Sequence, residues 1–150
     1  MAISIIQSLA DTSFLALDVW REARGESYQC KLAVASTVIQ RVRLRRWYGT
    51  DVMSVLFKKW QYSSLTNPKD PQLTTWPASS DQSWIDSLTA AYMILTNKVD
   101  SPAPGADSYF DESIAPPSWA VPADLVVQIG RLKFYDLNRD YEHETIGELA

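Results

Sequence analysis

Apolar residues recur at three- and four-residue spacing over three stretches of this chain, and each stretch predicts a helix. At 100° per residue, Leu15, Ala16, Val19, Trp20 and Ala23 form one continuous arc. Asp11 is the predicted N-cap of that helix and Gly25 its left-handed stop. A second helix, opened by Ser27, carries Leu32, Ala33, Val34, Ala35, Val38, Ile39 and Val42. It is apolar around most of its girth, the pattern of a central buried helix. Asp81 caps the third, with Trp84, Ile85, Leu88, Ala91, Tyr92 and Leu95 on its expected core face. Asp51 opens a shorter helix through Phe57, and Ser108–Phe110 and Leu132–Tyr135 read as two short strands able to pair.

The stretch from Lys58 to Ser80 has no period. It holds Asn67-Pro68, Asp70-Pro71 and Trp76-Pro77, which mark turns. Its Trp60, Tyr62 and Trp76 predict an ordered loop, because disordered segments are poor in aromatics. Ser101 to Gly105 reads as a turn and Pro116 to Trp119 as rigid loop. After Asp136 the chain is charged and weakly patterned. No repeat or linker divides it, so residues 1–150 are expected to form one domain with a tail from 136 to 150.

Composition narrows the chemistry. With 46% hydrophobic residues, 150 residues suffice for a substantial core. The net charge of −4 opposes nucleic-acid binding. No apolar run approaches the roughly 18 residues that suggest a membrane span. Met1 to Ala10 has no basic n-region and does not read as a secretory signal, which predicts synthesis and folding in a cytoplasm. The single cysteine, Cys30, fits a reducing compartment.

The lone histidine is His143, in the polar tail. One His and one Cys cannot build the usual zinc site, and any triad or Cys–His pair would depend on that tail. Cys30 opens a helix, where the dipole could lower a thiol pKa, but it is read as a small residue packed into the first turn. Five glycines supply no phosphate-cradling loop. Arg41, Arg43, Arg45 and Arg46 are read as a solvated helix end, with attraction of an anionic polymer the alternative. Catalysis is left to carboxylates, hydroxyls, amides and aromatics, with no metal or cofactor expected.

Glu22 lies at the edge of the first apolar arc, beside Leu15 and Val19, with Asp18 one turn earlier on its polar side. Burial raises a carboxyl pKa and a like charge at i−4 raises it further. A carboxyl that keeps its proton near neutral pH can serve as a general acid. The other reading is a boundary residue with a packed stem and a solvated head. Six tryptophans and seven tyrosines, several in loops beside Gln, Asn and Ser, are the means of gripping sugar rings.

Glu22-Ala-Arg-Gly-Glu26, Leu32-Ala-Val-Ala35 and Ile39-Gln-Arg-Val42 together resemble the catalytic domain of spore-cortex-lytic (SleB/CwlJ-type) cell-wall hydrolases. Trp60-Gln-Tyr-Ser63, Trp84, Gly105 to Phe110, Pro117-Ser-Trp119 and Ile129 to Tyr135 follow in the family's order, so the resemblance runs from about Asp18 to Tyr135. Gln40 stands where the family has Asn and Cys30 where it has Gly; Asp107-Ser108 and Leu132 replace histidine-bearing positions. The resemblance implies a lysozyme-like α+β domain, mostly helical, with a central buried helix and a short antiparallel β element beside the cleft.

It also implies a peptidoglycan glycosidase with Glu22 as its catalytic acid, cutting the MurNAc–GlcNAc β-1,4 bond as a lytic transglycosylase with a 1,6-anhydro product. A hydrolytic muramidase, a non-catalytic peptidoglycan-binding module and a stem-peptide amidase are the alternatives. Gln61, Ser63 and Tyr109 are expected to hold the substrate's N-acetyl and hydroxyl groups, and Trp119 to form a stacking wall. Glu26 is expected near them, capping the next helix or pairing with Arg24. The Trp60 loop resembles versions carried by phages. The expectation is a monomeric endolysin, released by a holin from the host cytoplasm to act on the cell wall, with peptidoglycan as partner and neither nucleic acid nor membrane insertion.

Overall fold

The computed structural model describes residues 4–45 and 47–139. The first helix, α1 (Ile5–Ala23), is capped by Ser4, whose hydroxyl accepts from Gln7 N at 3.1 Å. It therefore begins well before the expected cap at Asp11, which is a buried residue in mid-helix. The period is the same, but Ile5, Ile6 and Leu9 are exposed and gave no amphipathic signal. The C-cap is Arg24, in ordinary right-handed conformation, rather than a left-handed Gly25.

Ser27 caps α2 (Tyr28–Leu44) as expected, accepting from Cys30 N at 3.2 Å. Its Val34 and Val38 are fully buried, and so is its Thr37, whose hydroxyl bonds back to Val34 O at 2.7 Å. It packs on α1, on α3 (Val52–Leu56) and on α5 (Gln82–Leu95), and is the central helix. Asp51 closes a capping box on α3 with Ser54.

Two short elements lie inside the unpatterned loop, α4 (Ser63–Thr66) and a 3-10 turn, Pro71–Thr74. Asp81 caps α5 (Gln82–Leu95) through Ser83 N at 2.9 Å. Its buried face is Ser87, Ala90, Ala91 and Ile94, while Ile85 and Tyr92 are exposed. Small residues were undervalued by the periodicity: they let α5 approach α1 and α2 closely, and the larger apolar residues border that contact.

Strands β1 (Ser108–Asp111) and β3 (Leu132–Tyr135) pair antiparallel, with Tyr109 opposite Phe134. A third strand, β2 (Leu125–Ile129), pairs on the other side of β3 to give the order β1-β3-β2, with a register shift between Leu125 and Val127. Alternation gives this sheet two faces. Tyr109 and Phe134 share one, with ring centroids 5.6 Å apart; Phe110 and Tyr135 share the other, stacked at 5.8 Å. Phe134 is fully buried with Leu15, Val19, Val34 and Leu56 in the core. The architecture is lysozyme-like: a mostly helical body with a small antiparallel sheet at one side.

Candidate active site

Glu22 sits in the last turn of α1, and three other elements converge on it. Ser64, at the start of α4, is buried and donates its hydroxyl to Glu22 Oε1 at 3.0 Å. Glu22 lines a cavity of about 300 Å³ with Arg41 of α2, Gln61, Tyr62 and Ser63 of the loop, and Tyr109 of β1. It also lines a second cavity of about 350 Å³, with Arg24, Glu26 and Arg131. The carboxyl thus stands between two hollows.

Burial raises the Glu22 pKa above the ordinary carboxyl value, and the charge of Asp70 adds to the rise. The Ser64 hydrogen bond opposes it by favouring the carboxylate. Asp18, one turn earlier, is fully buried rather than on a polar face. Burial lifts its pKa well above normal, and the neighbouring Glu22 charge lifts it further against the pull of Arg41 and Arg21. Neither of its oxygens accepts a hydrogen bond with good geometry among the described residues. The expected like-charge interaction between the two carboxyls raises the Asp18 pKa, while burial and Asp70 raise that of Glu22.

Arg41 is not part of a solvated helix end. It is buried, donating Nε to Asp107 O at 2.6 Å and Nη1 to Gln61 Oε1 at 3.0 Å. Its guanidinium lies 4.6 Å above the Tyr48 ring and 5.1 Å above the Tyr62 ring. The helix-end reading holds for Arg43 and Arg45, both exposed. Arg41 fixes the Gln61 amide and anchors the chain entering β1. The Tyr109 phenol, whose pKa is held well above normal by burial and by the Glu22 and Asp18 carboxyls, remains a neutral donor.

Arg21, also buried, makes three bonds to loop carbonyls: Ser64 O at 2.9 Å, Leu73 O at 3.1 Å and Thr75 O at 3.2 Å. The Trp76 ring covers it, 4.7 Å away. Beside it Arg24 bonds Gln72 Oε1 at 2.6 Å and lies on Trp20, whose indole donates to Asp81 Oδ2 at 2.9 Å. These contacts tie the loop from Lys58 to Ser80 to α1. They are absent from any periodicity argument, because arginine reads as a surface residue.

The predicted residues divide in two. Glu22, Gln61, Ser63 and Tyr109 share one cavity. Glu26 lines the neighbouring one, where its Oε1 is 3.6 Å from Arg131 Nε and accepts from Arg131 N at 3.3 Å. Neither expected arrangement for Glu26, a cap of α2 or a pair with Arg24, is the one seen. Gly130 makes this contact possible: it turns from β2 to β3 at φ +59°, and a Cβ there would collide with Glu26 Oε2. Trp119 packs edge-on against Tyr135 at 5.5 Å and Phe110 at 6.0 Å, on the sheet face away from Tyr109. It lines neither cavity beside Glu22. Cys30 is fully buried and burial pushes its thiol up to about 12, which leaves packing as its role. His143 lies outside the described residues.

The Cell Wall Hydrolase family matches residues 25–135. This chain belongs to the cell wall hydrolase family. The matched span begins just after Glu22. Among solved structures, the catalytic domain of the Bacillus cereus SleB protein is similar over 85% of this chain and 90% of its own, with 22% identity and a TM-score of 0.64. The catalytic domain of the germination-specific lytic transglycosylase SleB from Bacillus anthracis is similar over 83% and 93%, with 23% identity and a TM-score of 0.65. No curated protein matches. This cell wall hydrolase thus carries a SleB-type fold, with its half-buried glutamate, fully buried aspartate and loop arginine clamp at one end of α1.

Proposed function

We propose that this cell wall hydrolase cleaves the glycan strands of peptidoglycan between N-acetylmuramic acid and N-acetylglucosamine, with Glu22 as its only catalytic carboxyl. The observation that carries this reading is a half-buried carboxyl, its pKa raised by burial, that lines a cavity on each side. A glycan strand laid across both cavities sets a glycosidic oxygen above Glu22, which protonates it. The sugar's N-acetyl group then stabilises the oxocarbenium-like centre, and Glu22, now a base, activates the muramic C6 hydroxyl to close a 1,6-anhydro ring.

The surroundings suit this substrate-assisted scheme. Asp18 is sealed from the cavity and cannot reach a sugar. Glu26 is engaged by Arg131. What faces the substrate beside Glu22 is an amide, a hydroxyl and a neutral phenol from Gln61, Ser63 and Tyr109. That one of the similar structures is a lytic transglycosylase domain supports the anhydro product. The resemblance of the Asn67-Pro68 and Asp70-Pro71 loop to phage versions supports an endolysin role, which lysis on co-expression with a holin would test.

Mass spectrometry of digested peptidoglycan tests the chemistry. Anhydro-muramic ends are expected. Reducing ends indicate a muramidase, cleaved peptide stems an amidase, and intact strands a binding module. Glu22→Gln should keep the fold and lose roughly 10²–10⁴-fold in rate.

A further inference from the structure

A third cavity, of about 410 Å³, adjoins the Glu22 cavity, and the two share Trp60 and Ser63. Its remaining walls include Thr66, Pro68 and two lysines, Lys59 and Lys69, with no acid among them. That is notable in a chain of net charge −4. Neither lysine is in an ion pair with an acid among the described residues; Lys59 Nζ instead lies 4.9 Å over the Trp60 ring. Asp70, the nearest acid in sequence, accepts the Ser63 hydroxyl at 2.6 Å and Gln72 N at 2.9 Å.

Trp60 stands at the junction of the two cavities. Its backbone is left-handed, at φ +71°, a region non-glycine residues seldom occupy. Its indole is 79% exposed, so no packing repays the strain. The turn, closed by Gln61 N on Lys58 O at 3.2 Å, holds the ring out where the cavities meet.

We propose that this cavity seats the peptide substituent of muramic acid, so that the enzyme prefers peptide-bearing over bare glycan. The inference rests on the glycosidase reading above. A muramic residue at Glu22 projects its lactyl-linked peptide sideways from the strand. That peptide combines carboxylates, which Lys59 and Lys69 attract, with small apolar groups, which Trp60 and Pro68 accept. N-acetylglucosamine carries no such substituent. The cavity on the other side of Glu22 is less suited. Its Arg21 is held by three carbonyls, its Arg24 by Gln72, and its Arg131 by Glu26 and Asp111.

The test compares kcat/KM on glycan strands of matched length, peptide-bearing or stripped of peptide by an amidase. The full chain and its Lys59→Gln/Lys69→Gln double variant are both assayed. Wild type should favour the peptide-bearing strands by about tenfold, falling as salt is raised, and the double variant should bring the ratio near one. Equal rates on both substrates in wild type, or an unchanged ratio in the variant, overturn the proposal while leaving the glycosidase reading intact. Failure to cut either substrate overturns both. Both lysines are exposed, so loss of fold is not expected; Lys59→Arg/Lys69→Arg should retain the preference.

Discussion

Ser64 reaches Glu22 across 42 residues of sequence, and its hydroxyl is 3.0 Å from Oε1. The bond steadies the carboxyl between its two cavities and favours the ionised form that acts as base. Ser64→Ala should therefore raise the Glu22 pKa further and lower turnover by a lost bond to a buried charge-bearing group, about 1–3 kcal/mol. The check is the pH profile of kcat/KM: the ionisation assigned to Glu22 should move to higher pH. A profile that stays in place while rate falls would argue for a steric role instead.

Asp18 makes stability depend on pH. Its folded pKa lies well above the ordinary 3.8, so the folded state holds the proton more tightly than the unfolded chain. Its stabilising contribution is complete below about pH 4 and is lost as pH rises through the folded value. Asp18→Asn keeps the shape without the ionisation. It should flatten the fall in melting temperature above pH 4 and be the more stable protein at pH 8. Thermal melts from pH 4 to 8 decide this; parallel curves for the two proteins would mean that folding does not raise the Asp18 pKa.

Cys30 is fully buried, with its thiol pushed up to about 12. Thiol-blocking reagents should leave lysis of peptidoglycan unchanged at neutral pH, where thiolate is scarce. Cys30→Ala should cost about 1 kcal/mol of stability through the small cavity left behind. Inactivation by iodoacetamide in the folded protein would contradict both statements.

The helices were legible because their cores follow the 3.6-residue period, as Leu15, Val19, Val34 and Val38 do. The strands around Tyr109 and Phe134 were legible from their aromatics. β2 was not, because its inward and outward positions are masked by a register shift and only partial burial. Of the site, Glu22 stood out by its place beside an apolar stripe, and Gln61, Ser63 and Tyr109 through the resemblance of their motifs to the family's. Ser64 carried no signal, being one of two adjacent serines. Arg21 and Arg41 ran against expectation, since their burial depends on carbonyls brought from distant loops. Trp119 was read as a glycan wall because rigid loop aromatics suit both packing and stacking; only the sheet's two faces separate these uses.

Arg21 should be the keystone of the long loop. Its three carbonyl bonds require a planar fork with several donors, which lysine cannot copy. Arg21→Lys should lower stability by about 2 kcal/mol or more and expose the stretch from Lys58 to Ser80 to proteolysis before the rest of the domain. Activity should fall with it, since Ser64 and Gln61 lose their positions. Limited proteolysis with mapped fragments tests this; first cuts elsewhere would separate Arg21 from loop order.

Gln61 and Tyr62 are adjacent but should fail in different ways when changed. Tyr62 is 3% exposed with its ring against Arg41, whereas Gln61 is partly exposed in the cavity and receives Arg41 Nη1. Tyr62→Ala removes a buried aromatic and should cost about 3–5 kcal/mol of stability. Gln61→Ala removes an amide poised between the guanidinium and the substrate. Arg41 keeps its bond to the Asp107 carbonyl, so the loss in melting temperature should be small. Turnover should drop by the equivalent of about 1–3 kcal/mol if the amide holds a sugar group in the transition state. Melting curves and kcat/KM measured on both variants separate the cases. A Gln61→Ala protein that melts early but turns over normally would reverse the assignment, making Gln61 a support for Arg41 and leaving Ser63 and Tyr109 to hold the sugar.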